Sequence, residues 1–311
     1  MGRGSHRRWL ARRRLHAQRR GVAAVVGTLL ALLVFLAIFG IFLSDYMPLW
    51  MQDNEEALAA QVESQFGSIQ NQMSSSYLTA QSGYEAANPV TLQSAGVPVF
   101  AQPTQGIVSF TENRQLFTNI SFRLDSASGQ AYYQNITSVG ELAISLPNRY
   151  YVPMTFDLQD GGVIQAQSSA SQQNMVFAPS VVANSSGGVS TLYITLFALY
   201  GNNSVLNLPS TAVYTTFVAS QQYPGFVGTY VYDNFTTEYG CAWSTYWNNQ
   251  FNHLNSTGYP TSANLNVYPN PSLDCIPGPS GSLTLVHVRF ASVSHFILSV
   301  ADFTVSLGQT T

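Results

Sequence analysis

The chain has 311 residues, 46% hydrophobic and only 9% charged, and its twelve basic residues are all arginine. Eight of them (Arg3, Arg7, Arg8, Arg12, Arg13, Arg14, Arg19 and Arg20) precede residue 21, leaving Arg114, Arg123, Arg149 and Arg289 against fifteen acids. An acidic body argues against nucleic acid as a partner, which would need basic charge on the folded part.

Residues 1–20 form a basic leader with no apolar periodicity and too much like charge to fold alone. Residues 21–43, GVAAVVGTLLALLVFLAIFGIFL, carry no charge. As a helix at ~1.5 Å per residue they reach about 34 Å, enough to cross a ~30 Å hydrocarbon core with some tilt. Because basic flanks stay inside, the reading is a single pass with a cytoplasmic N-terminus and an extracellular C-terminal part at the cell membrane.

Arg20-Gly21-Val22-Ala23 followed by Ala24-Val25-Val26-Gly27-Thr28-Leu29-Leu30 resembles the N-terminus of archaeal type IV pilins and their relatives. The resemblance implies that a prepilin-type peptidase cuts between Gly21 and Val22 and that the apolar helix is retained. It also implies that the helix serves a homo- or hetero-oligomer, as in a surface filament. The alternative from the residues alone is an uncleaved signal anchor.

Residues 44–80 read as a juxtamembrane amphipathic helix. Tyr46 and Trp50 fall at headgroup level, Pro48 predicts a kink or interruption, and Asp53 with Glu56 has capping-box spacing, predicting a fresh helical start at Asn54. Leu58, Val62, Phe66, Ile69, Met73 and Tyr77 then recur at steps of four and three, one apolar stripe that must pack on a sheet or on other helices. Residues 81–103, rich in Ser, Gln, Ala, Asn and Pro, read as a linker.

From residue 104 to 311 the pattern changes to short β-branched and aromatic runs separated by Gly, Asn, Asp or Pro, predicting a mainly β ectodomain, an antiparallel β-sandwich. The predicted strands are 107–110, 116–122, 140–146, 152–158, 163–166, 189–199, 213–220, 229–235, 283–290 and 296–307. Asp160-Gly161-Gly162 predicts a hairpin turn, and a phase shift at Ala301-Asp302 suggests a bulge. One helix is predicted over 242–254, where Trp243, Trp247, Phe251 and Leu254 share a face. Asn148-Arg149-Tyr150-Tyr151-Val152-Pro153, Asp160-Gly161-Gly162, Leu192 to Leu196 and Tyr239-Gly240-Cys241-Ala242-Trp243 resemble uncharacterised archaeal membrane-anchored proteins with pilin-like leaders. That resemblance implies location and architecture only.

Cys241 and Cys275 lie beyond the span, where oxidation is permitted; a disulfide is the leading reading, with two buried thiols as the alternative. No metal is expected, because no CxxC pair accompanies His253. Asn119, Asn135, Asn184, Asn202, Asn234 and Asn255 head Asn-x-Ser/Thr sequons, all on the outer side, and are N-glycosylation candidates. His253, His287 and His295 lack any hydrolase motif around them, and Glu141, Glu238 and Asp233 are the acids that would form a carboxylate pair if one exists. Tyr230, Tyr232, Tyr239, Trp243, Tyr246 and Trp247 suit either a core or a platform for surface glycans. No catalytic residue and no cofactor is therefore expected. The expected function is a pilin-like structural or adhesive subunit, the alternative a signal-anchored carbohydrate- or ligand-binding module that does not assemble.

Overall fold

The computed structural model describes residues 25–98, 100–112, 119–125, 131–137, 140–167, 172–186, 189–226, 230–256, 284–291 and 294–308. A β-rich body is carried on one long apolar N-terminal helix, α1 (Val25–Leu78). The helix does not stop at Pro48, nor does it restart at Asn54. Proline leaves the carbonyl four residues back without its amide partner, and the helix absorbs the defect by widening into a π-turn over Phe42–Tyr46, in which the Met47 N–H donates to the Phe42 carbonyl. The capping box is not formed, because Asp53 and Glu56 lie inside a continuous helix.

The described strands are β1 (Glu85–Thr91), β2 (Ile107–Glu112), β3 (Asn119–Asp125), β4 (Ala131–Thr137), β5 (Gly140–Leu146), β6 (Met154–Gln159), β7 (Gly162–Gln167), β8 (Gln173–Phe177), β9 (Ser180–Ser186), β10 (Val189–Tyr200), β11 (Ser204–Leu206), β12 (Ser210–Phe226), β13 (Tyr230–Thr237), β14 (Thr284–Ala291) and β15 (His295–Gly308). They form three sheets, ordered β1-β12-β15-β10-β9, β11-β2-β5-β6-β7-β8 and β14-β13-β3-β4. Pairing is antiparallel except between β10 and β15, which run parallel from Thr191 opposite His295 to Tyr200 opposite Thr304. β1 lies inside the stretch that reads as a linker; it is an edge strand, the place where Pro89 is tolerated in a sheet.

Two cores form on opposite faces of the first sheet. On one face, Phe197, Leu199, Phe217, Ala301, Phe303 and Val305 meet the apolar faces of β2, β5 and β6, with the stripe of α1 from Leu58 to Met73 packed among them. Phe66 stacks on Phe156 at 6.1 Å and Tyr77 meets Phe197 and Phe217 at 6.5 Å. Gly67 admits the ring of Phe177, which a Cβ there would meet at 2.6 Å. On the other face, Leu192, Ile194, Phe296, Leu298 and Val300 pack with β14 and with α2 (Gly240–Ser256).

This arrangement corrects the expected bulge in β15. The strand keeps unbroken register with β10; its pattern changes phase because Phe296, Leu298 and Val300 serve one core while Phe303 and Val305 serve the core on the opposite face. The irregularity sits in the partner, where Val218 of β12 is inserted between the pairs Phe217–Phe303 and Ala219–Asp302. The Asp160-Gly161 turn forms with both residues at positive φ, 51° and 84°, as a two-residue hairpin requires. Gln70 of α1 grips that turn, its Nε2 donating to the carbonyls of Gly161 and Ala178 at 2.5 and 2.8 Å.

Candidate functional site

Apart from Phe39, whose ring meets Phe100, the described residues of the apolar half of α1 pack on no part of the β body's two cores. From Val25 to Ile41 nearly every residue is exposed, including Leu33, Phe35 and Ile38, whereas from Met51 onward one face is buried against the body. By length and composition this half is a candidate membrane span or signal anchor. Gly21 and Val22 lie outside the described residues, as does the basic leader.

The helix is locked to the body by Glu55, a fully buried carboxylate. Its Oε2 accepts from the backbone N–H groups of Tyr150 and Tyr151 at 2.7 Å each, the Arg149 N–H reaches both oxygens at 3.1 Å, and the Thr104 hydroxyl donates to Oε1. Burial pushes the Glu55 pKa up, but these donors together outweigh it and hold the carboxyl below its ordinary value. The chain segment Asn148–Tyr151 thus forms a nest of amides around an anion supplied by the helix. The one signal in the sequence that separates Glu55 from Glu56 is phase: Glu55 falls three residues before Leu58 and four after Met51, on the buried stripe, while Glu56 is off it.

A second polar cluster lies between β5, β6 and the turn into α2. Asp157 and Glu141 are hydrogen-bonded to each other, and the Tyr239 hydroxyl donates to Asp157. Gln159 Nε2 donates to Asp157 Oδ2 at 3.4 Å, while Gln159 Oε1 accepts from Thr237 Oγ1 at 3.0 Å and from Trp243 Nε1 at 3.4 Å. Desolvation, with the neighbouring charges of Glu141 and Glu238, raises the Asp157 pKa well above the usual carboxylate range. The same burial, reinforced by Asp157, raises Tyr239.

Glu141 therefore does pair with a carboxylate, but the partner is Asp157; Glu238 adds its charge nearby, and the Asp233 side chain lies outside the description. Asp157 escapes a sequence reading because an acid alternating with Phe156 and Leu158 looks like a solvent-face residue. Here that face is covered: Asp157 is completely buried, so no substrate reaches the pair in this conformation.

Among the described residues no three His, Cys, Asp or Glu side chains converge as a metal site would require. His253 and His295 are exposed in α2 and β15, and His287 is half-buried in β14, where desolvation and then Arg289 lower its pKa. Cys241 is half-buried in the first turn of α2, and Cys275 lies outside the described residues. Of the sequons, Asn184 on edge strand β9 and Asn202 in the turn after β10 are exposed; the backbone places Asn119, Asn135 and Asn234 in β3, β4 and β13 and Asn255 in α2. Tyr239, Trp243, Tyr246 and Trp247 are all buried, Trp247 meeting Phe290 edge-on at 5.4 Å, so these four rings fill a core and present no platform.

Compared with protein-family models, with curated proteins and with solved structures, the chain matches none.

Proposed function

We propose that this chain is a surface-exposed, pilin-like structural subunit, membrane-anchored as a precursor and assembled through its N-terminal helix after leader cleavage. The observation that carries the reading is the division of one continuous helix: the first half is apolar and exposed, and the second is a core element of the β body. A helix so divided could change its surroundings from lipid to identical helices without disturbing the body, since the buried face from Met51 to Met73 packs on the body itself. The eight leader arginines oppose that transfer, each costing about 2.5–3.5 kcal/mol at the bilayer centre, so cleavage at Gly21-Val22 would release the helix. The body would lie outside the cell, with Asn184 and Asn202 available to glycosylation. Burial of the four aromatic rings removes one support for the carbohydrate-binding alternative, and the inaccessible Asp157 supports a non-catalytic role.

The test is immunogold imaging of cell-surface fractions with antibody against the β body. Labelled filaments that vanish when Gly21 is replaced by a bulky residue support the proposal; label confined to the membrane in both strains supports the unassembled anchor.

A further inference from the structure

The loop between β1 and β2 returns to the helix at a second, lower level. Its base is tied to the locked part of α1: Asn54 Nδ2 donates to the Ala95 carbonyl at 3.0 Å, and the Thr104 hydroxyl donates to Glu55. Ser94 and Thr104 pair across the base, and Val97 and Ala101 exchange both backbone hydrogen bonds at 2.9 and 3.0 Å, which stiffens the tip. From there Phe100 reaches back toward the N-terminus of α1, its ring 5.8 Å from Phe39 and 6.0 Å from Phe42. Phe42 lies twelve residues before Asn54, about 18 Å along the helix axis, and the loop bridges that distance together with the reach of the Asn54 and Phe100 side chains.

That descent passes Asp45, the first charged residue after the leader, and Ser44. Phe100 is thus at the depth of the uncharged stretch while remaining 42% exposed, and Tyr46, Leu49 and Trp50 of the same part of the helix are exposed as well. The segment Ser94 to Thr104, SAGVPVFAQPT, contains no charged side chain, so no ionised group has to be dehydrated when it meets lipid. Aromatic rings at such a boundary favour the bilayer interface.

We infer that the Gly96–Pro103 loop is a second membrane contact, inserting Phe100 into the outer acyl–headgroup boundary alongside the helix. Resting on the membrane-anchored reading of α1, it fixes the attitude of the β body on the precursor: a single span leaves helix and body free to tilt and rotate together in the bilayer, whereas helix and loop together define a plane. The partner is a lipid surface, recognised by apolar burial without headgroup charge, since the loop offers no cation.

The full chain, reconstituted into phosphatidylcholine vesicles, is tested with the photoreactive residue p-benzoylphenylalanine in place of Phe100, and separately in place of exposed Pro98. Leu33, within the apolar half, and Tyr193, exposed on β10, serve as the lipid and solvent controls. Lipid adducts at positions 100 and 33 but not 193 are expected. Adducts at 33 with none at 100 or 98 overturn the loop contact and leave the anchor standing; no adduct at 33 overturns both. A cross-link from position 100 to another copy of the chain, in place of lipid, also overturns the inference and makes the loop a subunit contact.

Discussion

Removing the carboxylate of Glu55 should weaken the seam between helix and body about as much as truncating a large buried residue of the stripe such as Phe66. The side chain is fully buried and satisfies three backbone N–H groups and one hydroxyl. Hydrogen bonds to a charged group contribute about 1.5–3 kcal/mol each, and a buried donor left without an acceptor costs about 1–3 kcal/mol. These effects are not additive within one nest, so Glu55→Ala is expected to cost about 3–5 kcal/mol, a large part of a typical 5–15 kcal/mol stability. Glu55→Gln keeps the shape and one acceptor but turns an NH₂ toward backbone donors, for about 2 kcal/mol. Urea unfolding of the full chain in detergent, followed by the emission of buried Trp243 and Trp247, measures both. The pH dependence supplies an independent check. Because the folded-state pKa of Glu55 lies below its ordinary 4.5, its stabilisation is fully present above 4.5 and is lost as pH falls through the folded value. The Gln variant should lack that part of the acid limb. A Gln variant within about 0.5 kcal/mol of wild type at neutral pH, the range of a neutral surface change, or one with an unchanged acid limb, would refute the reasoning.

Asp157 has the opposite sign: its raised pKa means that its contribution is complete below the ordinary 3.8 and is lost as pH rises through the folded value. Asp157→Asn, which keeps a donor toward Glu141 and an acceptor toward Tyr239, should flatten the alkaline side of the stability profile measured by urea titration at several pH values; an unchanged profile would locate the raised proton affinity elsewhere. Gly201→Ala should lower stability by about 1–3 kcal/mol in thermal unfolding, because the new methyl meets the Val305 carbonyl of the central strand β15. For the cysteines, alkylation of the exported protein without reductant should label neither Cys241 nor Cys275, and replacing both should cost about 2–4 kcal/mol; labelling of both thiols would show that no bridge exists.

Much of the architecture was legible wherever one local rule dominated. The stripe Leu58 to Tyr77, the ring spacing of α2 and the Asp160-Gly161 turn each depend on residues close in sequence, and each forms where expected. The strands that escaped a sequence reading, β1, β4, β8, β9 and β11, are all sheet edges. An edge strand has one ladder and often one wet face, so it tolerates Pro89 or a run such as Ser180–Ser186 and carries little apolar pattern. The parallel pairing of β10 with β15 joins segments about a hundred residues apart, and no local pattern announces it. The polar clusters were the least legible: the phase of Glu55 with Met51 and Leu58 places it on the buried stripe, but its partners, and the burial of Asp157, come from residues distant in sequence.

The proposal that the exposed half of α1 is an assembly element released by processing is tested most directly by the N-terminus of the mature protein. Surface-exposed protein should be isolated and its first residues determined by mass spectrometry. A chain beginning at Val22, with all eight leader arginines removed, is the predicted result. Surface-exposed protein that still carries Met1 to Gly21 would contradict it and leave α1 as a permanent anchor.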